Sequence, residues 1–442
     1  MNQERNSMLK IAFTAHIFEG YETALMGLMA LEIGKAFFPK TGDKTALMLS
    51  FSVFASSFLA RPIGSVLFGL WASRRGTGTA LRLSLILIAI PAALITFLPT
   101  YAMAGYLAPC LLVALRLMQG LAEGGDAPLC AYYVALNTPD EYRGLYCGLA
   151  ACSSFIGWFA ASFVVFILPY CASFASSFIQ STVHLGPMAE SWRWPFLLCV
   201  PLSLWVFSIR RSSLSIEPPN ERAQRRDWRT LPITPLLQVV AIVAFTTTQL
   251  FTLFIWLPSY LHTYVGVSRA DAHASNVIAL IVFSLVMVGA GYATRWIRAT
   301  KFALFGIASL TLLSYPLFVM LQDGGFIVLL FVQLAFALMA GCLFGAIFIV
   351  LPDLLKDNWQ SMGMTVAYTL PVVIFGGTAP LVCAYLLEVT QLLTAPALYI
   401  VAIGVIALPV AYRLAFPDGY PSPSTGELDS RGKLSRLKSE ES

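Results

Sequence analysis

The sequence predicts an all-α polytopic membrane protein whose twelve transmembrane helices form two pseudo-symmetric six-helix halves. Three observations carry that prediction. Of 442 residues, 58% are hydrophobic and 12% charged, against about 25% charged in an average soluble domain, and the mean hydropathy is +0.75. Apolar stretches of about 20 residues recur along nearly the whole chain, each long enough to cross roughly 30 Å of hydrocarbon as a helix. A polar, Arg-rich segment divides them six and six.

The elements follow in order. The first span, 8–37, comes after MNQERNSMLK and carries acids in its middle. It shows no small-residue cleavage pattern, so it is expected to remain as a span. Spans 46–71 and 81–99 are joined by the basic turn GLWASRRGTGTALR at 69–82, and span 104–136 is joined to 144–170 through TPDEYRG. SWRWPF at 191–196 opens a short sixth span, 195–209, whose true start is expected a few residues upstream. RRSSLSIEPPNERAQRRDWRTLPITP, 210–235, reads as a linker. The second half holds spans 236–260, 273–294, 302–321, 326–350, 363–386 and 396–416. Its basic turn, GAGYATRWIRATK at 289–301, occupies the position equivalent to the first one, as an internal duplication would leave it. The expected domains are 1–209, the linker 210–235, 236–416 and a tail, 417–442, with the composition of a disordered segment and no heptads.

An even number of spans puts both termini on one side of the membrane. That side holds 21 of the 28 Lys and Arg residues. The opposite loops hold Lys35, Lys40, Lys44, Arg193 and Arg269, while Arg61 and Arg116 fall within spans. The positive-inside rule therefore places both termini in the cytoplasm, and it accounts for the net charge of +5 without a nucleic-acid partner. The six arginines of the linker suit topology and anionic headgroups. The eight cysteines form no CxxC pair and read as packing residues. The four histidines are scattered, and HExxH, GxSxG and Walker patterns are missing, so no enzyme, cofactor or metal site is expected.

Ionisable residues well inside spans, apart from span ends, all fall in the first half: Glu19, Glu22, Arg61, Arg116, Glu123 and Asp126, with His16 near one helix end. At about 2.5 to 3.5 kcal/mol each at a helix centre, the six would cost on the order of 15 to 20 kcal/mol unpaired. They must face one another or water. His16, Glu19 and Glu22 advance by three along one stripe of the first helix, and Arg116, Gln119, Gly120 and Glu123 share one face of the fourth, with Asp126 about 80° round. Gly124 and Gly125 would let a neighbouring helix or a ligand approach. Four acids against two arginines leave an excess of about two negative charges. Either a carboxylate holds a proton part of the time, or a cation or cationic solute group completes the site. A carboxylate that gains and loses a proton in mid-membrane can couple solute movement to a proton gradient. Static ion pairs that fix helix register, such as Arg116 with Glu123, are the competing reading.

Several motifs stand in a specific order. They are Glu19-Gly20-Tyr21-Glu22; FLARPIGSVLFG at 58–69, through Arg61, Pro62, Gly64 and Gly69; and RLMQGLAEGGD at 116–126, through Arg116, Gln119, Gly120, Gly124 and Gly125. TPDEYRG, SWRWPF, WLPSYL at 256–261 and FGGTAPLVCAYLLEVTQ at 375–391, then Pro396 and Tyr399, complete the series. In this order they resemble the major facilitator superfamily over residues 10–416, and within it the proline/betaine branch of the metabolite:H+ symporter group. The turn after the second span keeps Gly69 and Gly76, but Ser73 stands at that superfamily's Asp and Thr77 at its Arg.

The resemblance implies a monomeric, proton-coupled transporter in a bacterial inner membrane, with a small-molecule substrate, protons and the lipid bilayer as its partners. It implies Glu19, Glu22, Glu123 and Asp126 as proton-coupling candidates. Arg61, Arg116, Tyr21, Gln119, Tyr132, Trp158, Trp256 and Tyr260 are the substrate-binding candidates, the aromatics through cation–π attraction. Gly69, Arg74 and Gly76 are the candidates for a conformational turn. The excess of acid favours a zwitterion such as proline or betaine. An organic acid such as 2-oxoglutarate, leaning on Arg61 and Arg116, is the alternative. An uncoupled facilitator and a solute receptor of transporter fold are the further classes.

Overall fold

The computed structural model describes residues 2–39, 41–137, 152–170, 192–213, 233–323, 325–354 and 362–416. TPDEYRG, most of the linker and the tail lie outside these residues. Among the described residues every regular element is helical. Hydrocarbon offers no partner for backbone N–H and C=O groups, so a chain this apolar satisfies them within helices.

In the first half, α1 (Asn2–Leu28) passes through Met29 into α2 (Ala30–Phe37). The Ile33 amide donates to the Met29 carbonyl at 3.0 Å, so the two behave as one span. α3 (Asp43–Arg75), α4 (Thr77–Phe97), the short α5 (Tyr101–Ala104), α6 (Leu107–Asn137) and α7 (Cys152–Tyr170) follow. The sixth span is α8 (Arg193–Leu197) and α9 (Cys199–Ser213), starting upstream as expected. Arg193, placed in an outer loop by the expected span bounds, is instead buried. Its Nη1 donates to the carbonyls of Thr96 and Leu98 at 2.6 and 2.8 Å, closing the end of α4.

In the second half, the seventh span is α10 (Ile233–Phe251), a π-helical turn at Thr252–Trp256, α11 (Leu257–Tyr260) and a second π-helical turn at Leu261–Val265. α12 (Arg269–Ala293), α13 (Ala299–Met320) and α14 (Phe326–Leu354) follow. The eleventh span is α15 (Met362–Pro371), a π-helical turn at Val372–Gly376 and α16 (Ala379–Thr390), and the twelfth is α17 (Ala395–Ala415). Ten segments among the described residues are long and apolar enough to cross a membrane. The remaining two expected spans are the charged α1–α2 pair and the short α8–α9 pair. The breaks in spans seven and eleven were not foreseen. Pro258 and Pro371 lie at them, and a proline offers no amide to the carbonyl four residues back.

The two basic turns match in detail. Arg75 lies over the Trp71 ring at 5.0 Å and Arg295 over the Tyr292 ring at 4.6 Å. Gly76 ends α3 with φ of 88°, a backbone region where a side chain would be strained.

Backbone-to-backbone contact between α3 and α6 positions the site. A Cβ on Gly120 would lie 1.8 Å from the Ser57 carbonyl oxygen, and one on Gly124 2.0 Å from that of Arg61. The small residues of α6 therefore admit a helix, and they bring Arg61 alongside Glu123. Gly120→Val is expected to force the two helices apart, at a cost of about 1 to 3 kcal/mol, and to lower the thermal unfolding midpoint in detergent. Gly69→Ala, at a position with open space around it, is expected to leave that midpoint unchanged.

Candidate functional site

The buried charges of the first half form two adjoining groups on α1, α3 and α6. In the first, Arg116 Nη1 meets Glu22 Oε1 at 2.7 Å, and Gln119 Nε2 donates to the same oxygen at 3.1 Å. Glu22 and Gln119 are fully buried and Arg116 very nearly so. In the second, Arg61 Nη2 donates to Glu123 Oε2 at 2.7 Å, Arg61 Nη1 lies 3.9 Å from Glu19 Oε1, and His16 Nδ1 lies 3.5 Å from Glu19 Oε2. Here the side chains of His16, Glu19 and Arg61 are 12 to 13% exposed. Tyr368, on α15 of the other half, is within electrostatic reach of Glu19 and Arg61. The second group therefore looks across at the second half, and the first is sealed within the bundle.

This pairing corrects the sequence reading. Arg116 and Glu123 share a face of α6, but a contact at i,i+7 needs side chains that span two helical turns, whereas a facing helix can present a partner directly. Arg116 takes Glu22 from α1, and Glu123 takes Arg61 from α3. Within the two groups, Glu22 Oε2, Gln119 Oε1, Glu123 Oε1, Arg61 Nε, and the Nε and Nη2 of Arg116 have no partner among the described residues. Three carboxylates face two guanidinium groups, which leaves one negative charge before His16 is considered. The side chains of Asp126 and Tyr132 lie outside the described residues, although their backbone belongs to α6.

The structure disperses the aromatic candidates. The Tyr21 hydroxyl donates to the Pro195 carbonyl in α8 at 2.9 Å. Trp158 packs edge-on against Phe251 of the second half, with centroids 5.3 Å apart. Trp256 and Tyr260 stack on each other at 4.8 Å and are fully buried, and the Tyr260 hydroxyl donates to the Leu393 carbonyl at 3.0 Å. None of these four is seen against the acids. Arg74 is exposed, and Gly69 has open space around it.

A count of ionisable residues overlooked the polar groups of the second half. Gln249 Oε1 and Trp256 Nε1 of the seventh span are buried and have no partner among the described residues. Asn276 Nδ2, on α12, donates to the Phe254 carbonyl at 3.2 Å and to Ser162 Oγ of α7 at 3.1 Å. Phe254 is the residue whose carbonyl Pro258 cannot serve with an amide, so Asn276 supplies the missing donor and also links the halves. The run FTTTQLFT at 245–252 was the available signal, because uncharged polar residues in mid-span also need partners.

At the end of the bundle near residues 38–42, the halves are clasped. Arg269 pairs with Glu32, Lys44 lies 5.1 Å over the Tyr264 ring, and the Tyr264 hydroxyl donates to Glu388 at 3.2 Å. A cleft of about 460 Å³ beside this clasp is lined by Asp43, Lys44, His262 and Glu388 among others.

The Major Facilitator Superfamily model matches residues 11–380. The chain belongs to the major facilitator superfamily. Membership in it, together with the apolar helices, makes this a multi-pass integral membrane transport protein and not an enzyme. The Ectoine/proline transporter ProP of Corynebacterium glutamicum is 28% identical over 429 residues, which cover 90% of this chain and 82% of that protein. The citrate-proton symporter of Klebsiella pneumoniae is 27% identical over 388 residues, covering 85% and 84%. Among solved major facilitator structures, the xylose transporter XylE from E. coli, in a partially occluded inward-open conformation, aligns with a TM-score of 0.70 at 15% identity. That alignment covers 93% of this chain and 98% of the other. A bacterial homologue of the lysosomal transporter Spinster, inward-facing and occupied, aligns with a TM-score of 0.67 at 13% identity, covering 94% and 98%.

Removing one member of a buried pair leaves an uncompensated charge, which is strongly destabilising. Arg116→Leu is expected to cost about 3 to 5 kcal/mol, read as a lower unfolding midpoint in detergent. Arg116→Leu combined with Glu22→Leu is expected to recover most of that loss. At the clasp, Arg269→Glu is expected to widen the distance between spin labels at the exposed Met103 and Leu392, one in each half. The reciprocal swap, Arg269→Glu with Glu32→Arg, is expected to restore the distance.

Proposed function

We propose that the chain is a proton-coupled symporter that imports a small zwitterion such as proline or betaine by alternating access. The observation that carries this reading is the mixed-sign pair of buried groups in the first half, with unpartnered donors and acceptors side by side. Arg116 Nε and Nη2 can donate to a carboxylate, while Glu22 Oε2 and Gln119 Oε1 can accept from an ammonium or face a quaternary one. A solute bearing both signs answers both sets, and the excess carboxylate favours one with a positive group. The similarity to an ectoine/proline transporter agrees with it.

In this reading His16, Glu19, Arg61 and Glu123 form the station that water reaches, and Glu22 with Arg116 and Gln119 the station that is sealed in this conformation. Asp126 lies further along α6 toward the terminus end of the bundle. The halves 1–209 and 236–416 rock about the sites between them, joined by the linker 210–235 and followed by the tail 417–442. In this reading the membrane is a bacterial inner membrane, the Lys/Arg census supports cytoplasmic termini, and the clasped end faces outward. The transporter works as a monomer, because each chain contains both halves.

A second reading, symport of an organic acid, is favoured by the similarity to a citrate-proton symporter and by the two arginines. Competition for labelled uptake across a pH step by proline, betaine and 2-oxoglutarate separates the two. Inhibition by proline or betaine alone is the expected result, and inhibition by 2-oxoglutarate alone would overturn the zwitterion assignment. Accumulation against a gradient, abolished by a protonophore, is expected. Equilibration without accumulation would indicate a facilitator, and binding without transport a receptor. Glu22→Gln is expected to abolish pH-driven accumulation while sparing much of the counterflow exchange. Equal loss of both would demote Glu22 to a binding or structural residue.

A further inference from the structure

The charged cluster of the first half touches the second half through one side chain in particular. The Arg61 guanidinium lies 3.9 Å from the centre of the Phe58 ring, one helical turn earlier on α3. A cation over a ring face is attracted by the ring quadrupole, and more strongly where water is excluded. On its other sides the same ring belongs to the interface between the halves. It meets Phe251 of α10 edge-on, with centroids 5.4 Å apart and planes at 90°. It also fills the notch left by Gly377 in the eleventh span, where a Cβ would come within 2.2 Å of Phe58 Cγ. Phe58 is almost completely buried.

Local backbone chemistry makes this stretch of α3 responsive. Pro62 has no N–H to offer the Phe58 carbonyl, so the helix lacks one hydrogen bond where the ring is attached. Gly377 follows directly on the π-helical turn Val372–Gly376, so the opposing surface is also a break in a regular helix. A backbone hydrogen bond missing on one side of a close aromatic contact and a π-helical turn on the other make it a place where two packings can exchange.

We propose that Phe58 is a positioning residue that transmits the charge state of the Arg61 cluster to the interface between the two halves. While Glu123 and Glu19 hold Arg61, the guanidinium holds the ring edge-on to Phe251 and in the Gly377 notch. When one of those carboxylates is neutralised, Arg61 shifts toward the remaining charged partners, and the ring loses the cation that fixes its orientation. The groups that face Arg61 are Glu19 on α1, Glu123 on α6 and Tyr368 on α15, with His16 behind Glu19. The inference rests on the proposed coupling of the cluster to solute movement only for its purpose. The mechanical link itself is tested without transport.

The test is a double-mutant cycle read as a distance. Spin labels are carried on a keto amino acid at Met103 and Leu392, so the eight native cysteines remain, and the full-length protein is studied in lipid nanodiscs. Glu123→Gln removes one carboxylate charge and is expected to shift the label-to-label distribution. In a Phe58→Leu background that shift is expected to shrink roughly threefold or more, because interaction between coupled sites is what the cycle isolates. Phe58→Tyr, which keeps the ring face, is expected to restore it. Gly377→Ala perturbs the ring from the opposite half without touching the cluster, and is expected to shrink the shift as well. Three results would each overturn the proposal: no shift from Glu123→Gln in the otherwise native protein, an equal shift with Leu at 58, or loss of the shift with Tyr to the same extent as with Leu. If Phe58→Leu does not fold, an undiminished shift in Gly377→Ala overturns it. Protonophore-insensitive uptake would sink the symporter reading and leave this cycle still decisive.

Discussion

A charge in hydrocarbon has to be answered by another charge or by a hydrogen-bonding group inside the protein, and the arrangement of the first half depends on that requirement. Each helix alone presents its ionisable groups where they would be unfavourable, and only the meeting of α1, α3 and α6 satisfies them. The meeting in turn demands close helices. The carbonyl edges of α3 sit in the grooves left by Gly120 and Gly124, and that proximity lets Arg61 reach Glu123 with a direct hydrogen bond. Packing and electrostatics are thus one problem, because glycines that look like simple spacers determine which carboxylate each arginine finds. The satisfaction is incomplete, with donors and acceptors of the sealed group left over, and buried polar groups without partners call for an explanation beyond helix register.

The second half solves a different problem. Apart from its span ends it buries no charge among the described residues, but spans seven and eleven depart from the α-helix at turns that include Thr252–Trp256 and Val372–Gly376. Such turns leave carbonyls in need of donors, and they recur at functional positions in membrane helices. Asn276 fills one such need and reaches Ser162 in the other half at the same time. Several other contacts between the halves are aromatic, as with Phe155 against Phe283 and Phe344, and Trp158 against Phe251. Rings can slide and re-pack at little cost, whereas an ion pair in the same place would tie the halves together. Charge is kept within one half and at the clasped end, where Glu32 meets Arg269 and water can replace whatever contact is lost.

Superfamily membership and this chain's own residues contribute different things. The family accounts for two halves and for transport as the activity. It does not choose the solute, since relatives of nearly equal similarity carry the names of an ectoine/proline transporter and a citrate-proton symporter. That choice belongs to the balance of sign around Arg61 and Arg116. The basic turn after α3 keeps its glycine at a φ of 88° but carries Ser73 and Thr77 where the superfamily pattern has charge. The described cross-half clasp lies at the opposite end of the bundle.

Hydropathy and charge by themselves determined the number and order of the spans, the pairing of the basic turns, the early start of the sixth span, and the concentration of buried charge in the first half. These properties are local: a run of 20 apolar residues must be a helix in lipid, and an acid within it must be buried, whatever the neighbouring helices are. Partners were decided only by tertiary structure. One face of α6 suggests Arg116 with Glu123, yet three-dimensional packing gives Glu22 to the first and Arg61 to the second. In the same way it turned Tyr21 toward α8, stacked Trp256 on Tyr260, made Arg193 a buried cap, and brought Phe58 between Arg61 and Gly377. Helical periodicity specifies which residues share a face and says nothing about which face of another helix lies opposite, because that depends on the crossings of all the helices together.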